Sequence, residues 1–219
     1  STKFIPLNTT GNHMQFKKNT IFLRFLGFSC GLFLVQSTLW ASTPAIEPIW
    51  NNLLKSNTSV KNKHLIKSTC INYSALADSQ TFDTVIRALE NTSLKSLDPG
   101  DETLAFWINA YNIAVVHLIA EAYPISSIKD IGTSVQPVWN MNAISIDHKS
   151  YTLEEIEREV ASFHNPKVRF ALFNGSISGP DLRTEAYTKS KLQLQLEDQT
   201  KSFLQNETKG CKMDFGTNT

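Results

Sequence analysis

Hydrophobic residues recur at helical spacing along much of the chain. Phe82, Val85, Ile86 and Leu89 fall at i, i+3, i+4 and i+7, which predicts a helix capped by Asp78 or Ser79. Asp101 to Ala122 predicts a longer one. Pro99 suits its first turn, Asp101 and Glu102 suit its positive end, and Pro124 disfavours helical geometry at Tyr123. Leu104, Ile108, Tyr111, Val115, Leu118, Ile119 and Ala122 make one broad apolar side, and Phe106, Ile113 and Val116 extend it. A helix that is apolar nearly all round is expected at the centre of a core. At about 1.5 Å per residue it would span about 33 Å, the width of a small domain.

Shorter patterns flank it. Ile49, Leu53 and Leu54 predict a modest helix over 46–55, and 126–131 predicts a short one stopped by Gly132. Thr152 and Glu155 have the spacing of a capping box, opening a helix to about Ser162. A last helix follows Ser190, with Leu192, Leu196, Gln199 and Phe203 on one stripe. Alternation at Ile144 and Ile146 before Asp147-His148-Lys149 predicts a hairpin, and the apolar run 168–173 after the Asn165-Pro166 turn predicts a strand. Residues 56–63 are polar and read as a loop, and 65–76 is ambiguous, with extended character around Ile71 and Tyr73. The fold class is α+β: a mostly helical single domain with a long central helix and a small mixed sheet.

Composition narrows the function classes. With 219 residues, 41% hydrophobic and 19% charged, the chain is a globular protein of about one domain. Lys+Arg total 21 and Asp+Glu 20, a net +1, and the charges are interspersed, so no nucleic-acid footprint is expected. The five histidines (13, 64, 117, 148 and 164) lack ligand spacing and no CxxC occurs, so neither metal nor cofactor is expected.

The N-terminal pattern is one of processing. Residues 1–13 form a polar leader. From Met14, the basic Lys17-Lys18, the apolar run Phe25 to Val35 and a small-residue site ending at Ala41 have the layout of a secretory signal peptide over 14–41. The expectation is export to a bacterial periplasm; the alternative is an uncleaved anchor starting at Ile21, the one case in which membrane contact is expected. Residues 42–63 read as a linker with a short helix, 64–206 as the main domain and 207–219 as an irregular tail. Cys30 leaves with the signal. Cys70 and Cys211 remain, and the preferred reading is one small buried residue and one tail thiol rather than a disulfide.

Candidate chemistry lies in two stretches. In FWINAYN, Asn109 and Asn112 share a helix face beside Trp107. Either they line a polar pocket or they satisfy loop backbone inside the core, and the second is the commoner fate of buried amides. FALFNGSISGPDLRTEAYT, 170–188, runs from apolar residues directly into small polar groups.

These two stretches, the Tyr123-Pro124 break, TLEEIE at 152–157 and the helix containing QLEDQTKSFL occur in an order that resembles the domain-of-unknown-function family 547, over about 71–203. Typical members carry two cysteines in the second stretch, which makes a thiol hydrolase chemically attractive for them. At the matching positions this chain has Asn174 and Gly179, and Arg169 and Arg158 stand where histidines are frequent. Members usually continue past the last helix into a further strand, so the resemblance also implies a C-terminally shortened member with a sheet missing an edge.

With the family-typical cysteines and histidines replaced, the expectation is a binding or scaffold module more than an enzyme. Its polar pocket for a small molecule or peptide would be built from Trp107, Asn109, Asn112, Glu157, Asn174, Arg183 and Tyr187. Arg183 would either hold an anionic group or form a salt bridge to Glu157 or Glu185, and Glu157 either accepts a hydrogen bond behind the site or faces solvent. Gly175 and Gly179 would supply positive φ or close backbone approach. The alternative is a hydrolase or acyl-transfer enzyme using Ser176 or Ser178, with Asn109 and Asn174 stabilising an oxyanion. It needs His117, His148 or His164 within hydrogen-bond reach of the serine.

Overall fold

The computed structural model describes residues 45–63 and 65–209. The predicted leader and signal segment, together with Cys30, His64 and Cys211, lie outside the described residues.

Ten elements order the described chain: α1 (Ile46–Asn57), β1 (Thr58–Lys63), β2 (Ile66–Ile71), α2 (Tyr73–Ala77), α3 (Gln80–Glu90), α4 (Asp101–Glu121), β3 (Asn142–Ile146), β4 (Lys149–Thr152), α5 (Leu153–Ala161) and α6 (Leu192–Leu204). Short 3-10 turns at Ile128–Ile131, Val138–Asn140 and Pro166–Phe170 connect them. The architecture is α+β and mostly helical.

α4 is the axis of the core. Gly100, at φ 96°, turns the chain into it, and burial runs around its whole circumference from Leu104 to Val116. Its length and apolarity would also suit a membrane span, but 83% of its apolar stretch is buried inside the fold. α2, α5, β3 and the 128–131 turn pack against it; α1 packs on α3, and α6 on the 166–170 turn. α1 supplies Trp50, Leu53 and Leu54 to the same core, with Trp50 stacked on Phe82 at 6.0 Å.

Local signals set most boundaries as the pattern of residues predicts. Ser79 caps α3 through the Phe82 N–H at 3.2 Å. Thr152 and Glu155 form the reciprocal capping box, at 3.1 and 2.8 Å. Asp147 and His148 both have positive φ, 49° and 60°, the geometry of a two-residue hairpin turn. That turn docks on the end of α3, where the His148 N–H donates to the Glu90 carbonyl at 3.0 Å.

Three expectations are corrected. The sheet is not one mixed sheet; it is two separate antiparallel hairpins, β1–β2 and β3–β4. The 56–63 segment is not a loop. Its residues 58–63 form β1, in register from Thr58 opposite Ile71 to Lys63 opposite Ile66, because β2 offers a partner that no local pattern announces. The 168–173 segment is not a strand. Asn165 caps a 3-10 turn through the Lys167 N–H at 3.1 Å with Pro166 in its first position, and the chain then continues without regular structure. Val168, Ala171, Leu172 and Phe173 are buried nonetheless, and a short apolar run does not distinguish a strand from other buried backbone.

Candidate functional site

An open cleft of about 460 Å³ lies where α4, α5, the 138–140 turn and the 170–180 loop meet. Its walls include Tyr111, Trp139, Glu157, Arg169, Asn174 and Pro180. The volume is within the range usual for small-molecule sites. Tyr111 comes from the core helix and is buried; Trp139 and Asn174 are half-buried; Glu157 and Arg169 reach solvent. Burial raises the Tyr111 phenol above its ordinary value, and the nearby Glu157 carboxylate raises it further. The phenol therefore keeps its proton at neutral pH and can donate a hydrogen bond into the cleft.

The 174–179 corner forms the rim. The Asn174 side-chain carbonyl accepts from the Ser176 N–H at 3.0 Å, a local turn that holds the side chain against its own loop. Gly175 has φ 73°. Gly179 suits a close approach: a Cβ there would lie 2.5 Å from Asn174 Oδ1 and 3.0 Å from its Cγ, so the Asn174 side chain would have to shift. Positions 174 and 179, where typical members of the resembling family carry cysteine, are therefore neighbours in space. Here the amide of one fills the volume left by the absent side chain of the other.

The other expected site residues are distributed elsewhere. Asn109 and Asn112 point from α4 into backbone. The Asn109 amide donates to the Tyr187 carbonyl at 2.7 Å and its Oδ1 accepts from the Tyr187 N–H at 3.0 Å. Asn112 does the same for the Ala171 carbonyl at 3.0 Å and the Phe173 N–H at 2.8 Å. These amides therefore bond the loop backbone directly, and the cleft opens elsewhere on the helix, at Tyr111. Asn109 also borders a separate cleft with Glu47, Glu102 and Phe106. Trp107 packs edge-on against Phe106 and Tyr151, each at 5.5 Å. The Tyr187 ring is buried in the core, and its hydroxyl meets no hydrogen-bond partner among the described residues.

Arg183 takes its salt-bridge role. Its Nε and Nη2 donate to Glu185 Oε1 at 3.0 and 2.8 Å, and Nη1 donates to Asp198 at 2.6 Å. Partial burial works against its charge, yet the Asp198 and Glu185 carboxylates outweigh that and raise its pKa. It borders a separate cleft of about 610 Å³ between β2 and α6, with its fork already committed to two carboxylates. Ser176 and Ser178 are exposed and hydrogen-bond each other at 3.0 Å; among the described residues no imidazole hydrogen-bonds either hydroxyl. No three metal-ligating side chains converge among the described residues.

Tyr111, Trp139 and Arg169 entered the site from the structure; Tyr111 was legible only as part of the apolar side of α4. Arg169 carried a signal, since it occupies a position where typical family members have histidine. Trp139 carried none beyond being a large aromatic after Pro137 in an irregular segment.

No curated protein and no solved structure matches the chain. A family model described as "Protein of unknown function, DUF547" matches residues 94–204, a stretch that runs from just before α4 to the end of α6 and contains every residue named in the cleft wall. The chain belongs to the DUF547 family.

Proposed function

We propose that this chain is an exported binding module that holds a small polar molecule in the Tyr111–Glu157–Arg169–Asn174 cleft. The observation that carries this reading is the cleft itself: an acid, a base, a phenol and an amide face one hollow beside an aromatic face. A few placed polar groups among larger apolar ones is the usual composition of such sites. The positions at which typical family members carry cysteine and histidine here supply an amide, Asn174, and a guanidinium, Arg169; these bind and orient but do not attack a carbonyl. Export is supported by the Met14–Ala41 pattern of basic, apolar and small residues.

Thermal-shift screening of the full chain against small metabolites tests the binding role. A ligand present at about a hundredfold over its Kd would add about 2.7 kcal/mol, a rise of roughly 5–10 °C in Tm for a protein of this size. The rise is expected to disappear in Asn174→Ala and in Trp139→Ala. Ligands that stabilise both variants as well as the parent chain would place binding elsewhere. N-terminal sequencing of the exported protein tests the leader; the expected first residue is Ser42, and a protein retaining 14–41 would contradict cleavage.

A further inference from the structure

Beside the polar cleft lies a second hollow of about 300 Å³, and the two share Glu157, Arg169 and Leu172. The first is polar, with the Tyr111 phenol and the Asn174 amide. The second is floored by Val160, Val168 and Leu172, all buried core side chains, with Ala161 and Pro166 beside them. Glu157 from α5 and Arg169 from the 166–170 turn therefore stand at the waist between a polar and an apolar compartment.

The two charges are uncommitted. Neither Glu157 nor Arg169 has an ion-pair partner among the described residues. One cation and one anion on a shared wall select a ligand by its charge pattern. A dianion such as phosphate would meet one guanidinium and one repelling carboxylate, and a diamine would meet the reverse. A neutral zwitterion satisfies both. Arginine offers a planar fork to a carboxylate, and a glutamate accepts from an ammonium. The adjoining floor of valine and leucine side chains rewards an apolar substituent. His164, at the edge of the second hollow, is the remaining titratable group facing it.

Building on the binding role proposed above, we infer that the paired hollows recognise a free α-amino acid with an apolar side chain. Its carboxylate rests on Arg169, its ammonium on Glu157, and its side chain over Val160, Val168 and Leu172. Asn174 and Tyr111 supply neutral hydrogen bonds to the same polar head.

Isothermal titration of the full chain with phenylalanine, N-acetylphenylalanine and phenylalaninamide tests this. Each modified compound lacks one of the two charges and is expected to bind about tenfold or more weakly, the usual loss for a charge-assisted contact. Glu157→Gln should abolish the preference for phenylalanine over its acetylated form while keeping the preference over the amide. Arg169→Gln should do the opposite. Both side chains are exposed, so both variants should keep the parent Tm in the absence of ligand. Equal affinity for all three compounds, unchanged preferences in the variants, or no binding of phenylalanine would overturn the assignment. If phenylalanine fails while some other compound binds in a manner dependent on Trp139 and Asn174, the cleft remains a binding site and only the amino-acid class is lost. If no compound shows that dependence, both readings fall.

Discussion

Asn109 closes a reciprocal pair of hydrogen bonds on the backbone of Tyr187, donating to its carbonyl and accepting from its N–H. A side-chain amide thereby plays the part of a neighbouring strand for one residue of an irregular segment. Asn112, one helical turn on, does the same for Ala171 and Phe173. Both asparagines are 2% exposed, so any backbone group released by their loss would be stranded away from water.

Asn109→Ala and Asn112→Ala should each destabilise the protein by about 2–4 kcal/mol, through two lost bonds and two unsatisfied buried backbone groups. At roughly 2–4 °C per kcal/mol the fall in Tm is about 4–16 °C. Asn→Asp at either site should be worse than Asn→Ala, since a carboxylate cannot donate to the carbonyl and would itself be buried. Thermal unfolding measures all four variants. Tm values near that of the parent would mean that the loop does not depend on α4.

Lys209 carries a charge on a side chain shielded from solvent. Its side chain is 0% exposed and its ammonium donates to Asp181 at 2.6 Å, Ser68 at 3.0 Å and the Gly179 carbonyl at 3.2 Å. Ser68 and the Thr69 N–H also donate to Asp181, so the carboxylate ties β2 to the loop that carries the cleft rim. Lys209→Met should cost on the order of 2–3 kcal/mol, below the usual figure for breaking a buried pair because Asp181 keeps two donors and is 26% exposed. An unchanged urea midpoint would show that this contact contributes nothing in solution.

Asn174 and Gly179 should behave as a coupled pair. Gly179→Ala alone must displace the Asn174 amide and break its bond to the Ser176 N–H, at a cost of about 1 kcal/mol. Once Asn174→Ala has vacated that volume, adding Gly179→Ala should cost almost nothing. A double-mutant cycle on urea unfolding reads the coupling; strict additivity would mean that the two positions do not touch.

The Arg183–Glu185 contact predicts a pH dependence. Hydrogen bonding from Gln195 and then from Arg183 holds the Glu185 carboxyl below its ordinary 4.5 despite some desolvation. A carboxyl lowered on folding contributes stability that is present above its unfolded pKa and is lost as pH falls through the folded value. The Tm difference between the parent chain and Glu185→Gln should therefore be constant from pH 7 down to about 5 and shrink below 4.5. A difference that grew on acidification would contradict the assigned direction.

What the residues reveal in sequence order divides along a physical line. α3, α4 and the Thr152–Glu155 box were legible because their signals act within one or two helical turns. Residues 58–63 were not, because β1 has one large apolar residue, Val60, and exists by pairing with β2. Residues 168–173 carry a strand-like pattern without being a strand, because what replaces the strand neighbour is the side chain of Asn112, distant in sequence and on a helix. The site shows the same division. The amides of FWINAYN stood out as polar groups in an apolar helix, and their use is the backbone role left open at the outset. The cleft combines Tyr111, Trp139, Glu157 and Asn174, four positions that share no periodicity and meet only through the packing of α5 and the 138–140 turn on the core.

The most direct measurement is the indole N–H spectrum of the isotope-labelled full chain during titration with a compound that raises its Tm. Trp139 stands in the cleft wall, whereas Trp50 and Trp107 are sealed in the core at 2% and 4% exposure. The expected result is a saturable shift of the Trp139 resonance, abolished by Asn174→Ala, with Trp50 and Trp107 unmoved. A titration that leaves Trp139 in place while the protein is demonstrably bound would contradict the assignment of this cleft as the binding site.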